Sequence, residues 1–574
     1  RWVFVFGNRE DLNNMTMQLT EKAYYEKNEP VISDPTVNIT FDELLDFTDE
    51  QYVEWMARLM RTMRESWDTY GNPARSGKNE HEMIRSFNKL ATYPVREMIF
   101  TDELNEEHGV DAVDDVIYNV ARKGTEVDQF FPAIMKARIN YTSKDTGYSV
   151  YDMLADEKYH ARMIKGGRRH FLRDSFYHYS NGGVKVNNIK SAIVLVKTGI
   201  EWINAFNDSP QIFRGYDFWL QETEPYDKST GYFPVEWKEF VNLSANEVKY
   251  LWDAGKLTKR NVRNIDINNL PDDVLYRIRV FKLGSKMFPK AFIAFKIGHI
   301  QVAVNFPPMT AKAIYERFTD HLTDKIGINV ADKVIIYDPS SGWGGRMLGA
   351  LSVKDDRAVH YIGVDPNPQC WDLEDGKSRY EALAEFYNGN TYRGNEFLAD
   401  NVPTTFELFQ DGSECVHLDP RFQKYKGRID LVFTSPPYFN REAYGEDEKQ
   451  SYKKFPGYDA WKEGYLRRTL QTAVEYLRPG CYLIWNIADL LQGKEYLPLE
   501  EDSRQILLEL GMVIGSEAPG RYKQPDVIKM AMQSMPGQHR LNEDGTPKAK
   551  NFCKVNGQYY KYEPVFVYWK PLDP

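Results

Sequence analysis

In the second half of the chain, short unbroken apolar runs alternate with segments of helical period. Residues 334–337 predict a buried strand, and residues 347–351 the start of a helix. Residues 361–364 predict a second strand that ends in Asp365. Ile429, Leu431 and Val432 predict a third. Residues 477–490 pattern as a helix end, a Pro-Gly turn and a buried strand, followed by a crossover helix in EEDSRQILLELGM. Strand and helix in alternation predict an α/β fold with a doubly wound, mostly parallel sheet. The first half patterns as largely helical. In EQYVEWMARLMRTMRESW the apolar positions Tyr52, Trp55, Met56, Leu59, Met60 and Met63 fall near helical period, as in an amphipathic core helix.

Composition changes this picture little. With 574 residues, roughly two to four domains are expected. The residues are 42% hydrophobic, 27% charged and 14% aromatic, as in a soluble globular protein. The most apolar windows, 191–206 and 287–306, are broken by Lys197, Glu201, Lys290 and Lys296, so no membrane span is expected. Cys370, Cys415, Cys481 and Cys553 form no CxxC pair and no zinc framework, which points to a reduced, intracellular protein without a required metal. The chain opens on Arg1 rather than Met, so a native N-terminus upstream is an expectation. The net charge of −10 does not advertise a nucleic-acid partner, although a local basic surface would suffice to hold one.

Two strand ends carry candidate chemistry. After the run 334–337 comes Asp338-Pro339-Ser340-Ser341-Gly342-Trp343-Gly344-Gly345, a turn in which glycine lets the chain bend and a ligand approach the backbone. Asp365 lies 20 residues beyond Gly345 (365 − 345), the distance at which an acid meets a ribose hydroxyl in nucleoside-binding α/β folds. There is neither a Gly-Lys-Ser/Thr ending nor a GxGxxG pattern. Asp338 would favour a cationic ligand over a pyrophosphate, and a sulfonium with an amino-acid tail fits. The plain alternative is an α/β turn with no ligand. At the third strand, TSPPYF sets Ser435-Pro436-Pro437-Tyr438 as a stiff extended arm. Its alternative is a proline-terminated strand with a surface tyrosine.

Together these motifs resemble the S-adenosylmethionine-dependent amino-methyltransferases of DNA, over residues 305–570. The resemblance implies a Rossmann-like methyltransferase domain at 305–574, preceded by a helical region at 1–304 that finds the target. It implies S-adenosyl-L-methionine as cofactor, with Asp338, Ser340, Gly342 and Gly344 in its motif, Asp365 on the ribose and Asp411 beside the adenine. Residues 305–322 look like the helix before the cofactor strand, and residues 562–570 like the closing strand. DNA is the implied partner, its adenine (N6) or cytosine (N4) flipped out of the duplex.

An aromatic amino group is a poor nucleophile, because its lone pair is delocalised. Ser435 Oγ and the Pro436 carbonyl would take its two hydrogens, Pro437 would keep the arm rigid, and Tyr438 would stack on the base. Phe439 adds either a wall or a structural anchor. Carbon-5 methylation would need a cysteine nucleophile, typically after proline, and none of the four cysteines follows one. Two rivals stand: an amino-methyltransferase of RNA or protein, and a non-catalytic DNA-associated protein with a relic domain. Adenine or cytosine, the recognition sequence, the oligomeric state and any cognate nuclease stay open.

Within 1–304, residues 158–173 hold Lys158, Arg162, Lys165, Arg168, Arg169 and Arg173 without an acid. Arg168 and Arg169 are candidate phosphate contacts, or part of a solvated face. Residues 243–265 have a helix-turn-helix outline. Residues 535–557 are expected to form a polar loop, a lid or a DNA-facing insertion.

Overall fold

The computed structural model describes residues 47–70, 80–155 and 303–572, less 111–113, 120–123, 140–148, 324–332, 354–358, 372–376, 390–391, 394–395, 398–403, 445–446, 493–494, 537–541 and 543–550. The described residues of Lys78–Ser149 and Val302–Pro574 form one compact unit, and those of Tyr25–Gly77 and Val150–Gln301 another. In the second unit, helix α1 (Asp49–Tyr70) buries Trp55, Leu59 and Met60, in keeping with its apolar period. Tyr151, on the short helix Val150–Ala155, donates to Asp68 Oδ1 (2.6 Å) under the Arg64 guanidinium.

The first unit is built on an 11-stranded sheet. Its elements in chain order are α2 (Glu80–Ala91), β1 (Ile99–Thr101), β2 (Asp115–Tyr118), α3 (Pro308–Thr319), β3 (Val334–Asp338), α4 (Gly345–Leu351), β4 (Val359–Val364), α5 (Arg379–Gly389), β5 (Thr405–Phe409), β6 (Ile429–Thr434), α6 (Arg467–Tyr476), β7 (Leu477–Asn486), α7 (Leu499–Glu509), β8 (Val527–Pro536), β9 (Phe552–Val555) and β10 (Gln558–Trp569), with smaller pieces between. The strand order is β1-β2-β8-β10-β7-β6-β3-β4-β5. From β5 to β7 neighbours are parallel. β10 then runs antiparallel between β7 and β8. This is an open, Rossmann-like α/β sheet, mostly parallel and doubly wound. The chain leaves β3 outward through β4 and β5, then returns to β6 on its other side. β3 and β6 therefore flank a topological switch point, where ligands bind in such sheets.

The burial pattern explains the central strands. Every residue of β6 is buried, so its apolar run has no solvent face. Phe433 meets Phe306 and Tyr315 edge-on (5.3 and 5.7 Å), which seats α3 under the switch point. α3 also carries Lys312, whose buried ammonium donates to Leu90 O, Ala91 O and Tyr93 O (3.0, 2.7 and 3.0 Å) and so caps the end of α2.

The region before residue 305 is largely helical where described, and β1 and β2 add strands that extend the sheet, with β2 parallel to β8. Their apolar cores, such as Val116-Ile117, are too short to show a period. The division differs from 304/305, because Lys78–Ser149 folds with Val302–Pro574. Residues 535–557 are not one loop either: β9 pairs with β10 through a turn at Asn556-Gly557, both at positive φ (50° and 72°). Such Asn-Gly turns suit a tight hairpin.

Among the described residues no helix is long and apolar enough to cross a membrane.

Candidate active site

β3 ends at Asp338, and the glycine turn runs from there into α4. Ser341 N donates to Val364 O (2.9 Å), which pins the turn to the end of β4. Asn305 clamps it from the other side. Its Oδ1 accepts from Gly345 N (3.1 Å) and its Nδ2 donates to Trp343 O (2.5 Å). The glycines differ in what surrounds them. Gly342 has φ +57° and, where a Cβ would stand, meets only Ser340 O at 3.8 Å, so that side is open to a ligand. Gly344 has φ +72°, but a Cβ there would run into the Phe131 ring and Leu383. Gly344 thus turns the side a Cβ would occupy to the interior, and is glycine for the bend and the packing. Ser340 is half-buried, with Oγ 3.2 Å from Tyr465 OH.

Asp338 is held by the protein itself. Its carboxylate is fully buried and already engaged by the protein. Oδ2 accepts from Arg346 Nε (2.8 Å) and Tyr361 OH (2.7 Å); Oδ1 accepts from Thr434 Oγ1 (2.6 Å) and Ser340 N (3.2 Å). A carboxylate offers about four lone-pair sites, and these donors take them. The cation that an acid at this strand end calls for is the protein's own Arg346. Burial opposes the Arg346 charge, but Asp338, with Tyr361 and Tyr315 behind it, outweighs burial and raises the Arg346 pKa. Asp338 thus joins β3, α4, β4 and β6 at the head of the turn.

Asp365, at the end of β4, is 9% exposed. Its Oδ2 accepts from Gly342 N (2.8 Å) and its Oδ1 from Asn367 N (2.9 Å). Each oxygen keeps a free lone-pair direction. Burial pushes its pKa up to about 6 against the pull of those two N–H groups. Asp365 N donates to Phe409 O (3.1 Å), which ties this end to β5, and Asp411 follows two residues later, half-buried. Asp338, Asp365 and Asp411 thus stand at the carboxyl ends of three neighbouring strands.

The arm leaves the end of β6. Pro436 is buried, while Ser435, Pro437 and Tyr438 are half-buried. Tyr438 OH donates to Asn486 O at the end of β7 (3.4 Å), and a turn closes as Arg441 N reaches Tyr438 O (3.0 Å). Burial, then the charge of Glu563, raises the Tyr438 pKa well above the usual phenol range, while a Ser435 hydrogen bond opposes. Phe439, at φ +53°, is 8% exposed and packs edge-on against Tyr458 and Trp461 (5.8 and 5.7 Å). Of its two readings, the structural anchor fits. An aromatic in the left-handed region persists only where packing holds it.

Sequence reasoning missed Asn305, Arg346 and Tyr444. Tyr444 donates to Glu442, meets Trp343 edge-on (6.0 Å) and lies within electrostatic reach of Asp365, so it stands beside the glycine turn. Cys370 Sγ lies 3.5 Å from Gly342 O, but burial raises its thiol pKa well above the usual value, so it carries no thiolate. Arg168, Arg169, the rest of 158–173 and the outline at 243–265 lie outside the described residues.

No protein-family model matches this chain, and no curated protein matches it by sequence. Solved structures similar to part of it include a precorrin-6y C5,15-methyltransferase from Geobacter metallireducens, at 10% identity and TM-score 0.21, covering 42% of this chain and 82% of that one. An antibiotic-resistance methyltransferase, Kmr, matches at 12% and 0.23, over 43% and 91%. A [4+2]-cyclase, SpnF, matches at 14% and 0.24, over 45% and 82%. At these identities and scores the likenesses do not bear on the reaction.

Proposed function

We propose that this chain is an S-adenosylmethionine-dependent methyltransferase acting on an exocyclic amino group, adenine N6 or cytosine N4, of a base flipped out of DNA. One observation carries the proposal. The Ser435-Pro436-Pro437-Tyr438 arm and the open face of Gly342 stand at the carboxyl ends of adjacent strands, across the switch point.

The residues present fit the cofactor. Asp365 keeps one acceptor direction on each oxygen, which suits a vicinal diol. Gly342 leaves space beside it. Trp343 Nε1 is a buried donor with no partner among the described residues, and suits a carboxylate tail. S-adenosylmethionine, when bound, supplies a methyl group on cationic sulfur. The chain's part is positional. Ser435 Oγ and the Pro436 carbonyl accept the amino hydrogens and aim the lone pair, and Tyr438 bears on the base. DNA recognition belongs, in this proposal, to residues 1–304, with Arg168 and Arg169 on phosphates, where contacts set position rather than sequence.

Labelled methyl transfer to DNA and to RNA, followed by nucleoside analysis, tests the assignment. Methylated adenine or cytosine from DNA is the expected product. Ser435→Ala should lower turnover by about 100-fold, the scale of one lost preorganised hydrogen-bonding group, with cofactor still bound. Label found only in RNA or protein reassigns the substrate. Cofactor binding without transfer leaves the non-catalytic reading.

A further inference from the structure

Tyr438 stands among acceptors. Its hydroxyl reaches the Asn486 carbonyl, and the Asn486 side chain turns to β10, where Nδ2 donates to Pro564 O (2.9 Å). Asn486 is 1% exposed, and its Oδ1 takes no hydrogen bond among the described residues. β10 runs antiparallel to β7 with Val565 opposite Asn486, so Pro564 and Glu563 extend past the end of β7 on the side of the arm. Glu563 is the strongest charged neighbour of Tyr438. No hydrogen bond or ion pair reaches its carboxylate among the described residues. A second acid, Glu442, is engaged by Tyr444 OH. An orphaned amide oxygen, an unpaired carboxylate and the Ser435 hydroxyl thus stand near the adjoining ends of β6, β7 and β10. That set fits a group with N–H to give and positive charge to shed.

Methyl transfer to an amino nitrogen creates such a group. The new N–C bond uses the nitrogen lone pair, and the electrons of the broken S–C bond stay with sulfur. The nitrogen then has four bonds and a positive charge. One N–H proton must leave, its electron pair staying on nitrogen. Neither a serine hydroxyl nor a proline carbonyl accepts a proton near neutral pH, and Tyr438 is a neutral phenol.

We propose that Glu563 balances the charge on the methylated nitrogen and takes its proton, with the dipole of the Asn486 side-chain carbonyl favouring the same charge. The inference rests on the amino-transfer assignment above. Burial raises the Glu563 pKa, Glu442 adds to the rise, and Lys561 on its own strand opposes it. Glu500, on α7, joins them around Tyr438. Glu563 is therefore a stronger base than an exposed carboxylate, and its charge is present above that raised pKa.

Two ligands separate this inference from its foundation. Sinefungin carries an amine on the atom that replaces sulfur, at the point of methyl transfer, whereas S-adenosylhomocysteine is neutral there. Calorimetry on the full chain should show a preference for sinefungin that weakens as pH falls through the Glu563 titration. Glu563→Gln should lower the preference about tenfold, the scale of one charge-assisted hydrogen bond, and remove its pH dependence. S-adenosylhomocysteine affinity should not change, which also reports an intact fold. Asn486→Leu should lower the preference while keeping its pH dependence. A preference unchanged in Glu563→Gln, or absent in the unaltered protein, overturns the inference. A protein that binds neither ligand overturns the cofactor assignment, and this inference with it.

Discussion

The ends of β3 and β4 lie side by side, and each carries a buried aspartate beside the same glycine turn. Asp338 receives a guanidinium, two hydroxyls and a backbone N–H. Asp365 receives two backbone N–H groups. Residue type, burial and place at a strand end are shared. The number of protein donors set against the acceptor capacity separates them. A saturated acid is a joint of the scaffold, whereas one with spare lone pairs can still take a ligand. The difference also protects the site: Arg346 neutralises Asp338, so the ionised Asp365 faces less like charge. The remaining repulsion appears as a small upward push from Asp338 on the Asp365 pKa, behind burial.

Removing the two charges in turn is the most direct way to break this comparison. Asp338→Asn leaves Arg346 buried without its partner, and such breaks cost about 3–5 kcal/mol. The melting temperature should fall sharply, or the chain should fail to fold. Asp338→Asn combined with Arg346→Met should recover part of the loss, because no uncompensated charge remains. Asp365→Asn should fold with a far smaller change in melting temperature and lose cofactor affinity. Denaturant midpoints for the three variants decide it. An Asp338→Asn protein of normal stability that lost only cofactor binding would make Asp338 a ligand after all.

Asp365 also sets an expected pH dependence. Its folded pKa, about 6, lies above the ordinary value of 3.8. A raised carboxyl pKa gives stability that is present below about 3.8 and lost as pH rises through about 6. Cofactor binding runs the other way. Ribose hydroxyls need an ionised acceptor, so affinity should fall as pH drops below about 6, by at most about tenfold per pH unit. Asp430, at the start of β6, is also raised to about 6 by burial and adds to the stability slope. Asp365→Asn should therefore remove only part of that slope, but should remove the pH dependence of S-adenosylhomocysteine affinity. Calorimetric titrations from pH 5 to 8 check the sign, and affinity that rises with acidity refutes it.

How much of this was legible in the sequence follows from the range of each interaction. The strands at 334, 361 and 429 show as apolar runs because their faces are wholly buried, and the order of the motifs placed Gly342, Asp365 and Ser435 at strand ends. Asp411 follows the end of β5, whose Phe409 pairs with Val364 next to Asp365. The partner of Asp338 was hidden, since nothing marks Arg346 as buried at the start of α4. Phe439 read equally as wall or anchor, because its fate depends on Tyr458 and Trp461, remote in sequence. β1 and β2 escaped notice because each is shorter than any period. The hairpin of β9 and β10 did have a signal, the Asn556-Gly557 pair between apolar residues.

The glycines offer the finest test of the same contrast. Gly342 and Gly344 are both left-handed, so alanine at either costs about 1–2 kcal/mol in backbone strain. Beyond that they should part. A methyl group on Gly342 enters open space, so Gly342→Ala should show only the strain while weakening cofactor binding. A methyl group on Gly344 displaces Phe131 and Leu383, and overpacking adds about 1–3 kcal/mol. Gly344→Ala should therefore be the less stable of the two, yet bind cofactor normally at temperatures where it remains folded. Denaturant midpoints and cofactor titrations on the pair read both effects. If Gly344→Ala lost affinity while keeping its stability, the open face of the turn would lie at Gly344 instead.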